Sequence, residues 1–371
     1  MNKSSNFRSF VAEDAPQVAA LWQRCFRGEA APPSAAIQKY FVDIFLKHPW
    51  YDPEIAPLVL ERQGEIVGFI GRMARPMIFR GQTIRCAIAS QLMVHPDRKL
   101  GFAAIELVRA ICDGPQELIY SDGANEDAWR IWNRCGGEAA RLLCFEWKRI
   151  LRPMRSFMLN LREHARLASI AAITTPACDA YDALAVRLLP QLYHKPRRCL
   201  AHCQPATAMQ ILPLLQQVAP ASMLYPLYDE TSFTWLLDQA AATRSFGKMR
   251  TMLVLDTDNT PIGWFIYLVK ARHVAHVLQI GATFGHSQSV LSALFRDAWE
   301  QGAASVAGQL DPSLTLDLSN SQCQFRCTNM GVLMYSNNPD LLNAIQRGEA
   351  FLSRLEGEWW LRLGIDRYAS W

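Results

Sequence analysis

The chain has 371 residues, enough at roughly 150 residues per domain for two domains or one large one. Its 38 Lys and Arg against 34 Asp and Glu leave a net charge of +4, too thin a field for a general nucleic-acid coat. With 50% hydrophobic and 19% charged residues, a disordered chain is excluded and a sizeable core is allowed. No apolar run approaches the roughly 18 residues of a bilayer span, and the opening MNKSSNFRSFVAEDAPQ lacks the apolar core of a signal peptide. A cytoplasmic globular protein is expected. Ten cysteines suit a reducing compartment as small buried hydrophobes. The pairs Cys199/Cys203 and Cys323/Cys327 are too loosely set to read as zinc ligands, and no metal is expected.

In chain order, apolar residues recur at three and four from Pro16 to Phe26, which predicts a helix. Leu58 to Ile70 follows as two apolar strands around a polar turn at Gln63-Gly64, the pattern of a hairpin. Leu92 to Val94 ends a further strand that Pro96 stops, and a helix is predicted over Phe102 to Cys112. A strand at Glu117 to Ser121, a helix opening at Asn125 and a final strand at Leu142 to Lys148 complete this half. The hairpin then repeats without a gap 195 positions later, Leu58–Ile70 aligning on Leu253–Phe265. This copy too is flanked by helical patterns, Ala206 to Val218 before it and Ser289 to Trp299 after it. A period so far beyond about 50 residues excludes a solenoid. The expected organisation is a mixed α/β (α+β) domain over residues 1–150, a helical connector over 151–200 and a second copy over 201–371. The basic run His194-Lys195-Pro196-Arg197-Arg198 closes the connector.

The run Gln91-Leu92-Met93-Val94-His95-Pro96-Asp97-Arg98-Lys99-Leu100-Gly101-Phe102-Ala103 carries the chemistry. A strand that feeds a small-residue loop into a helix N-terminus offers backbone N–H groups at the positive end of the helix dipole, a cradle for pyrophosphate. Gly101 permits close approach of the backbone, and Ala103 keeps the first turn narrow. In the second copy the corresponding stretch, Ile280 to Ser289, lacks the Arg-x-x-Gly-x-Ala spacing. Coenzyme binding is expected to be lost there, with His286 a loop residue.

Arg98-x-x-Gly101-x-Ala103 resembles the acyl-coenzyme A signature of the GCN5-related N-acetyltransferase superfamily. Asn125 to Trp132 followed by Gly136-Gly137 is similar to that superfamily's next motif, an Asn that opens a helix ending at glycine. The resemblance covers about residues 7 to 150. It implies two tandem domains, each a mixed sheet flanked by helices, the second degenerate. It also implies acetyl-CoA or another acyl-CoA as co-substrate, held by the strand backbone at Leu92, Met93 and Val94, by the loop Arg98, Lys99, Leu100, Gly101, Phe102 and Ala103, and by Asn125.

Two departures bear on mechanism. Trp132 stands where the superfamily often has a proton-donating Tyr, and an indole N–H is a far weaker acid. No carboxylate occurs at Ala89-Ser90-Gln91, where a base is often found. Asp122, with a water shared by Ser90, is the nearest candidate. The expected activity is acyl transfer from acyl-CoA to a small-molecule or sugar amine. Transfer from a carrier protein or tRNA in the manner of the Fem-type aminoacyl transferases, with the basic run as docking surface, and a non-catalytic acyl-CoA-binding module are the alternatives.

Overall fold

The ladders of two seven-stranded sheets organise the chain in the computed structural model. It describes residues 6–28, 32–96, 102–162, 181, 201–242, 245–327 and 331–361. The first half runs β1 (Asn6–Ser9), α1 (Ala15–Arg27), α2 (Ala35–Leu46), β2 (Leu58–Arg62), β3 (Glu65–Ala74), β4 (Met77–Phe79), β5 (Gln82–Ile84), β6 (Cys86–Val94), α3 (Ala103–Cys112), β7 (Leu118–Ser121), α4 (Glu126–Arg134), β8 (Glu138–Ala140), β9 (Phe145–Ile150) and α5 (Pro153–Arg162). The second half continues with β10 (His202–Pro205), α6 (Ala208–Val218), β11 (Leu224–Pro226), α7 (Glu230–Ala241), β12 (Lys248–Leu255), β13 (Pro261–Val269), β14 (Val274–Ala282), α8 (Ser287–Glu300), β15 (Ser305–Gln309), α9 (Thr315–Asn320), β16 (Gln324–Cys327), β17 (Val332–Tyr335) and α10 (Pro339–Gln346).

The contacts divide the chain into two units, each assembled from separated segments. One comprises Met1–Cys144, Pro220–Arg244 and Thr328–Trp371; the other comprises Phe145–Ala219 and Ser245–Cys327. The first sheet, ordered β1-β2-β3-β6-β7-β17-β8, belongs to the first unit, and the second, β10-β12-β13-β14-β15-β9-β16, to the other. This differs from contiguous domains over 1–150 and 201–371. The strand expected to close the first domain, observed as β9, hydrogen-bonds to β15 and β16 of the second sheet, while β17 from the far half enters the first sheet between β7 and β8. Sheet membership follows the hydrogen-bonding partner, and a local pattern carries no record of a partner so distant in sequence. Of the expected connector 151–200, Leu151, Arg152, α5 and Tyr181 are described, and the remainder lies outside the described residues.

Local chemistry explains the elements that frame the first unit. Gln63 and Gly64 take left-handed conformations, φ 55° and 78°, and close the β2–β3 hairpin in two residues. In the second unit, Asp256 Oδ1 accepts from the N–H groups of Asp258 and Thr260, so the β12–β13 turn is wider although the strands correspond. Helix α1 ends on Gly28 at φ 67°. Helix α3 turns Ala103, Leu107, Val108 and Ile111 onto the core beside Leu60, Val67, Ile70 and Ile119. In the second unit α8 does the same with Val290, Leu291, Leu294 and Ala298. Trp264, Phe265 and Tyr267 are fully buried there. Tyr267 donates to Asp297, whose carboxylate also accepts two bonds from Arg250, at 2.7 Å each, so this buried charge is fully paired.

Candidate functional site

Strands β6 and β7 run parallel and pair only over Cys86–Leu118, Ala87–Ile119 and Ile88–Tyr120. From Ala89 onward β6 has no ladder partner on its β7 side among the described residues. Its other edge remains paired to β3, with an interruption: Phe69 opposes Met93 and Gly71 opposes Ser90, so Ile70 faces both Gln91 and Leu92. That extra residue is a β-bulge, and Gln91 adopts φ 51° to make it. A left-handed glutamine inside a buried strand is strained and persists only where the surroundings fix it. Here Gln91 Nε2 donates to Tyr40 Oη at 2.8 Å, and Tyr40 donates to the carbonyl of Leu361 at 2.7 Å.

The second sheet repeats the framework without this feature. Gly263 and Trp264, the counterparts of Gly68 and Phe69, pair with Ala282 and Gly281 as those pair with Val94 and Met93. The ladder then continues unbroken through Phe265–Ile280 to Ile266–Gln279, and its irregularity comes only after Ile266. Trp264 donates through Nε1 to Gln279 Oε1 at 2.8 Å, and its ring leaves no room for a side chain at Gly281. His286 shares a hydrogen bond with Thr283 Oγ1 at 3.1 Å, a contact local to its loop.

A cavity of about 250 Å³ opens along the unpaired edge of β6. It is lined by Ala89, Ser90, Gln91 and Leu92 of β6, Ile70 of β3, Ser121 at the end of β7, and Gly123, Ala124 and Asn125. Trp22 and Phe26 of α1, Ala128 and Trp132 of α4, and Glu358 complete the wall. Asn125 caps α4 by accepting from the Ala128 N–H at 2.9 Å. Among the residues expected to meet a coenzyme, Leu92 and Asn125 line the cavity and Met93 is buried. Val94 pairs with Gly68, and its carbonyl accepts from Cys25 Sγ at 3.4 Å. Phe102 is 70% exposed at the start of α3, where Ala103 is buried. Arg98, Lys99, Leu100 and Gly101 lie outside the described residues, as do Cys199 and the basic run His194 to Arg198. Among the described residues, no three His, Cys, Asp or Glu side chains gather to hold a metal, and no helix is long and apolar enough to cross a membrane.

The expected pair Ser90 and Asp122 is not brought together on this wall. Ser90 is 4% exposed and its Oγ makes no hydrogen bond among the described residues. Asp122 turns to the segment after α10: its Oδ1 accepts from the Glu358 N–H at 2.5 Å, and its Oδ2 lies against Gly357, where an added Cβ would collide with it. The carboxylate that lines the cavity is that of Glu358, 4% exposed, which accepts from Ser121 Oγ. The segment carrying it is held from several sides. Tyr120 donates to the Glu356 carbonyl at 3.0 Å, Tyr228 donates to Glu356 Oε1 at 2.8 Å, and Trp360 Nε1 donates to the Leu355 carbonyl at 3.0 Å. The Glu356 carboxyl is fully buried, and burial raises its pKa. Glu358 was not among the residues expected at the site. The signal available was Glu356-Gly357-Glu358, two acids about a glycine between Leu355 and Trp359-Trp360.

No family model matches the chain, and no curated protein matches it in sequence. Solved structures do match. A GCN5-related N-acetyltransferase from Anabaena variabilis superposes with a TM-score of 0.58 at 12% identity, over 90% of this chain and 73% of that one. The fold is that of the GCN5-related N-acetyltransferases. A probable N-acyltransferase from Enterococcus faecalis gives 0.58 at 9% identity over 90% and 72%. A GCN5-related N-acetyltransferase from Kribbella flavida gives 0.54 at 13% over 89% and 71%. Matches of this breadth, with the repeated registers of β3/β6 and β13/β14, make the chain a tandem of two mixed α/β sheets of the acetyltransferase fold.

Proposed function

We propose that the chain is an acyl-CoA-dependent N-acyltransferase whose site lies in the first unit, and that it moves an acetyl or other acyl group to the amine of a small molecule. The observation that carries this reading is the unpaired edge of β6 from Ala89 to Val94, interrupted by a left-handed residue at Gln91 and facing a cavity that contains a carboxylate. An unpaired strand edge offers backbone donors and acceptors to an extended amide-bearing arm, which fits pantetheine. The backbone of Leu92, Met93 and Val94 would bind that arm, and Asn125 would close over it. Arg98 to Ala103, leading into the N-terminus of α3, would hold the pyrophosphate. The second unit, whose ladder stays continuous where the first is bulged, would serve as scaffold.

Calorimetry with acetyl-CoA and coenzyme A tests the reading. One coenzyme should bind per chain, and Gly101→Val should abolish binding without lowering Tm by more than a few degrees. Two equivalent sites, or undisturbed binding by Gly101→Val, would overturn the assignment. Release of free thiol on addition of a primary amine is the accompanying activity measurement.

A further inference from the structure

We infer that Glu358 receives the proton of the acceptor amine, that Asp122 is its positioning residue, and that the acceptor is a small primary amine with an apolar body. This rests on the acyltransfer reading above. An alkylamine has a reference pKa near about 10.4 and reaches the site mostly as an ammonium. Transfer of that cation out of water is favourable only beside an opposite charge. Glu358 supplies the charge on the cavity wall, next to Ser121, and it is the one acidic side chain among the described lining residues.

The remainder of the wall decides the body of the acceptor. Trp22, Phe26, Ile70, Leu92 and Trp132 reward an apolar surface. The polar side chains are few and mostly engaged. Gln91 Nε2 is on Tyr40, Ser121 is on Glu358 and Asn125 Oδ1 is on the Ala128 N–H, whereas Ser90 Oγ and Gln91 Oε1 make no hydrogen bond among the described residues. An amino sugar would bring several hydroxyls into this space with too few partners, and each buried hydroxyl left unpaired weakens binding. An aryl-alkyl or alkyl amine meets no such penalty.

In the reaction the bound ammonium first gives one proton to the Glu358 carboxylate, which releases it to solvent; the lone pair of the neutral amine then forms the C–N bond at the thioester carbonyl carbon while a second N–H proton passes to the Glu358 carboxylate. Collapse then breaks the C–S bond. The proton on Glu358 goes to the departing thiolate, leaving an amide, the coenzyme thiol and a regenerated carboxylate. Asp122 touches no reacting atom in this scheme. It fixes the Glu358 N–H, and the collision an added Cβ would make at Gly357 shows how closely the two segments fit.

The test is thiol release from acetyl-CoA across pH 6 to 9 with phenethylamine, hexylamine, glucosamine and lysine, by the full chain and by Glu358→Gln, Asp122→Ala and Asp122→Asn. Phenethylamine or hexylamine should exceed glucosamine and lysine at least about tenfold in kcat/KM. Glu358→Gln should lower kcat/KM by about 100-fold at pH 6 to 7, the scale of a lost general base, and the deficit should narrow toward pH 9 as free amine becomes available, while coenzyme affinity stays within about twofold. Asp122→Ala should lower kcat by a similar factor across the pH range. Asp122→Asn, which retains an acceptor oxygen for the Glu358 N–H, should recover most of that loss. A parental kcat and profile in Glu358→Gln, equal damage from both Asp122 variants with a deficit that narrows as pH rises, or a preference for glucosamine would each overturn the inference. In all three of those outcomes coenzyme binding and turnover by the parent survive. A parent chain that binds no coenzyme, or binds it and acylates none of the amines, instead defeats the acyltransfer reading along with the inference.

Discussion

Asp122 and Glu358 meet through a backbone amide rather than through their side chains: the Glu358 N–H donates to Asp122 Oδ1 at 2.5 Å, across 236 positions of sequence. The same glutamate turns its own carboxylate the other way, to Ser121 and the cavity. One acid thus sets the backbone of the other, and the end of β7 becomes the point at which the segment after α10 is registered on the first sheet.

Gly357 is the tightest part of that registration, since a Cβ there would strike the Asp122 carboxylate. Its φ is outside the left-handed region, so the demand is for space alone. Gly357→Ala should therefore push Glu358 off the wall, lowering kcat by about tenfold or more while coenzyme affinity measured by calorimetry changes little. A fully active Gly357→Ala would show that the segment is not fixed by this contact.

Tyr40 joins the strained bulge to the same segment, accepting from Gln91 Nε2 and donating to the Leu361 carbonyl while fully buried. Tyr40→Phe keeps the ring and removes the acceptor and the donor together. Leaving two buried groups without their partner should cost about 1–3 kcal/mol. Denaturant unfolding should report that loss, and a drop below about 0.5 kcal/mol would mean that water substitutes for the hydroxyl.

Much of this arrangement was legible in the residues. The gapless match of Leu58–Ile70 to Leu253–Phe265, the helix that follows Phe102 and the Asn125 cap are local patterns, and local patterns specify hairpins and helix ends. The exchange of β9 and β17 between sheets was not legible, because a ladder is chosen by partners far along the chain. Glu358 escaped for the same reason: Glu356-Gly357-Glu358 is a short local signal, and the role of Glu358 depends on Ser121, 237 positions away. The bulge at Gln91 was hidden because a glutamine does not announce a left-handed conformation as glycine or asparagine does.

Trp132, 3% exposed, packs its ring edge against Gly137 and forms part of the cavity wall. Its indole cannot supply the proton that a phenol would. The thiol product, with a reference pKa near about 8.5, needs no strong acid to be protonated. Trp132→Ala should then destabilise the fold by about 3–5 kcal/mol, the usual cost of emptying a large buried site, and leave the pH optimum where it was. A shifted basic limb would instead assign the indole a part in proton transfer.

His48 gives a pH signature to the first unit that is independent of turnover. The ring is 4% exposed, lies 6.4 Å from Trp50, 6.0 Å from Tyr51 and 6.3 Å from Trp235 between centroids, and its Nδ1 is buried without a hydrogen bond among the described residues. Burial first, and the nearby Arg75 guanidinium second, push its pKa from the ordinary 6.5 down to about 3. The unfolded chain therefore takes up a proton as pH falls through 6.5 while the folded chain does not until about 3, so the folded state loses stability throughout that window. Glu356 acts in the opposite sense, because burial raises its pKa and its contribution fades as pH rises above the unfolded value. The difference between the parent and His48→Gln removes that contribution from the comparison. Between pH 6.5 and pH 5.0 the parent should lose about 1.5 kcal/mol more than the variant, on the scale of about 1.36 kcal/mol per pKa unit. Denaturant melts at the two pH values measure this directly, and parallel losses in the two proteins would mean that His48 is protonated in the folded state.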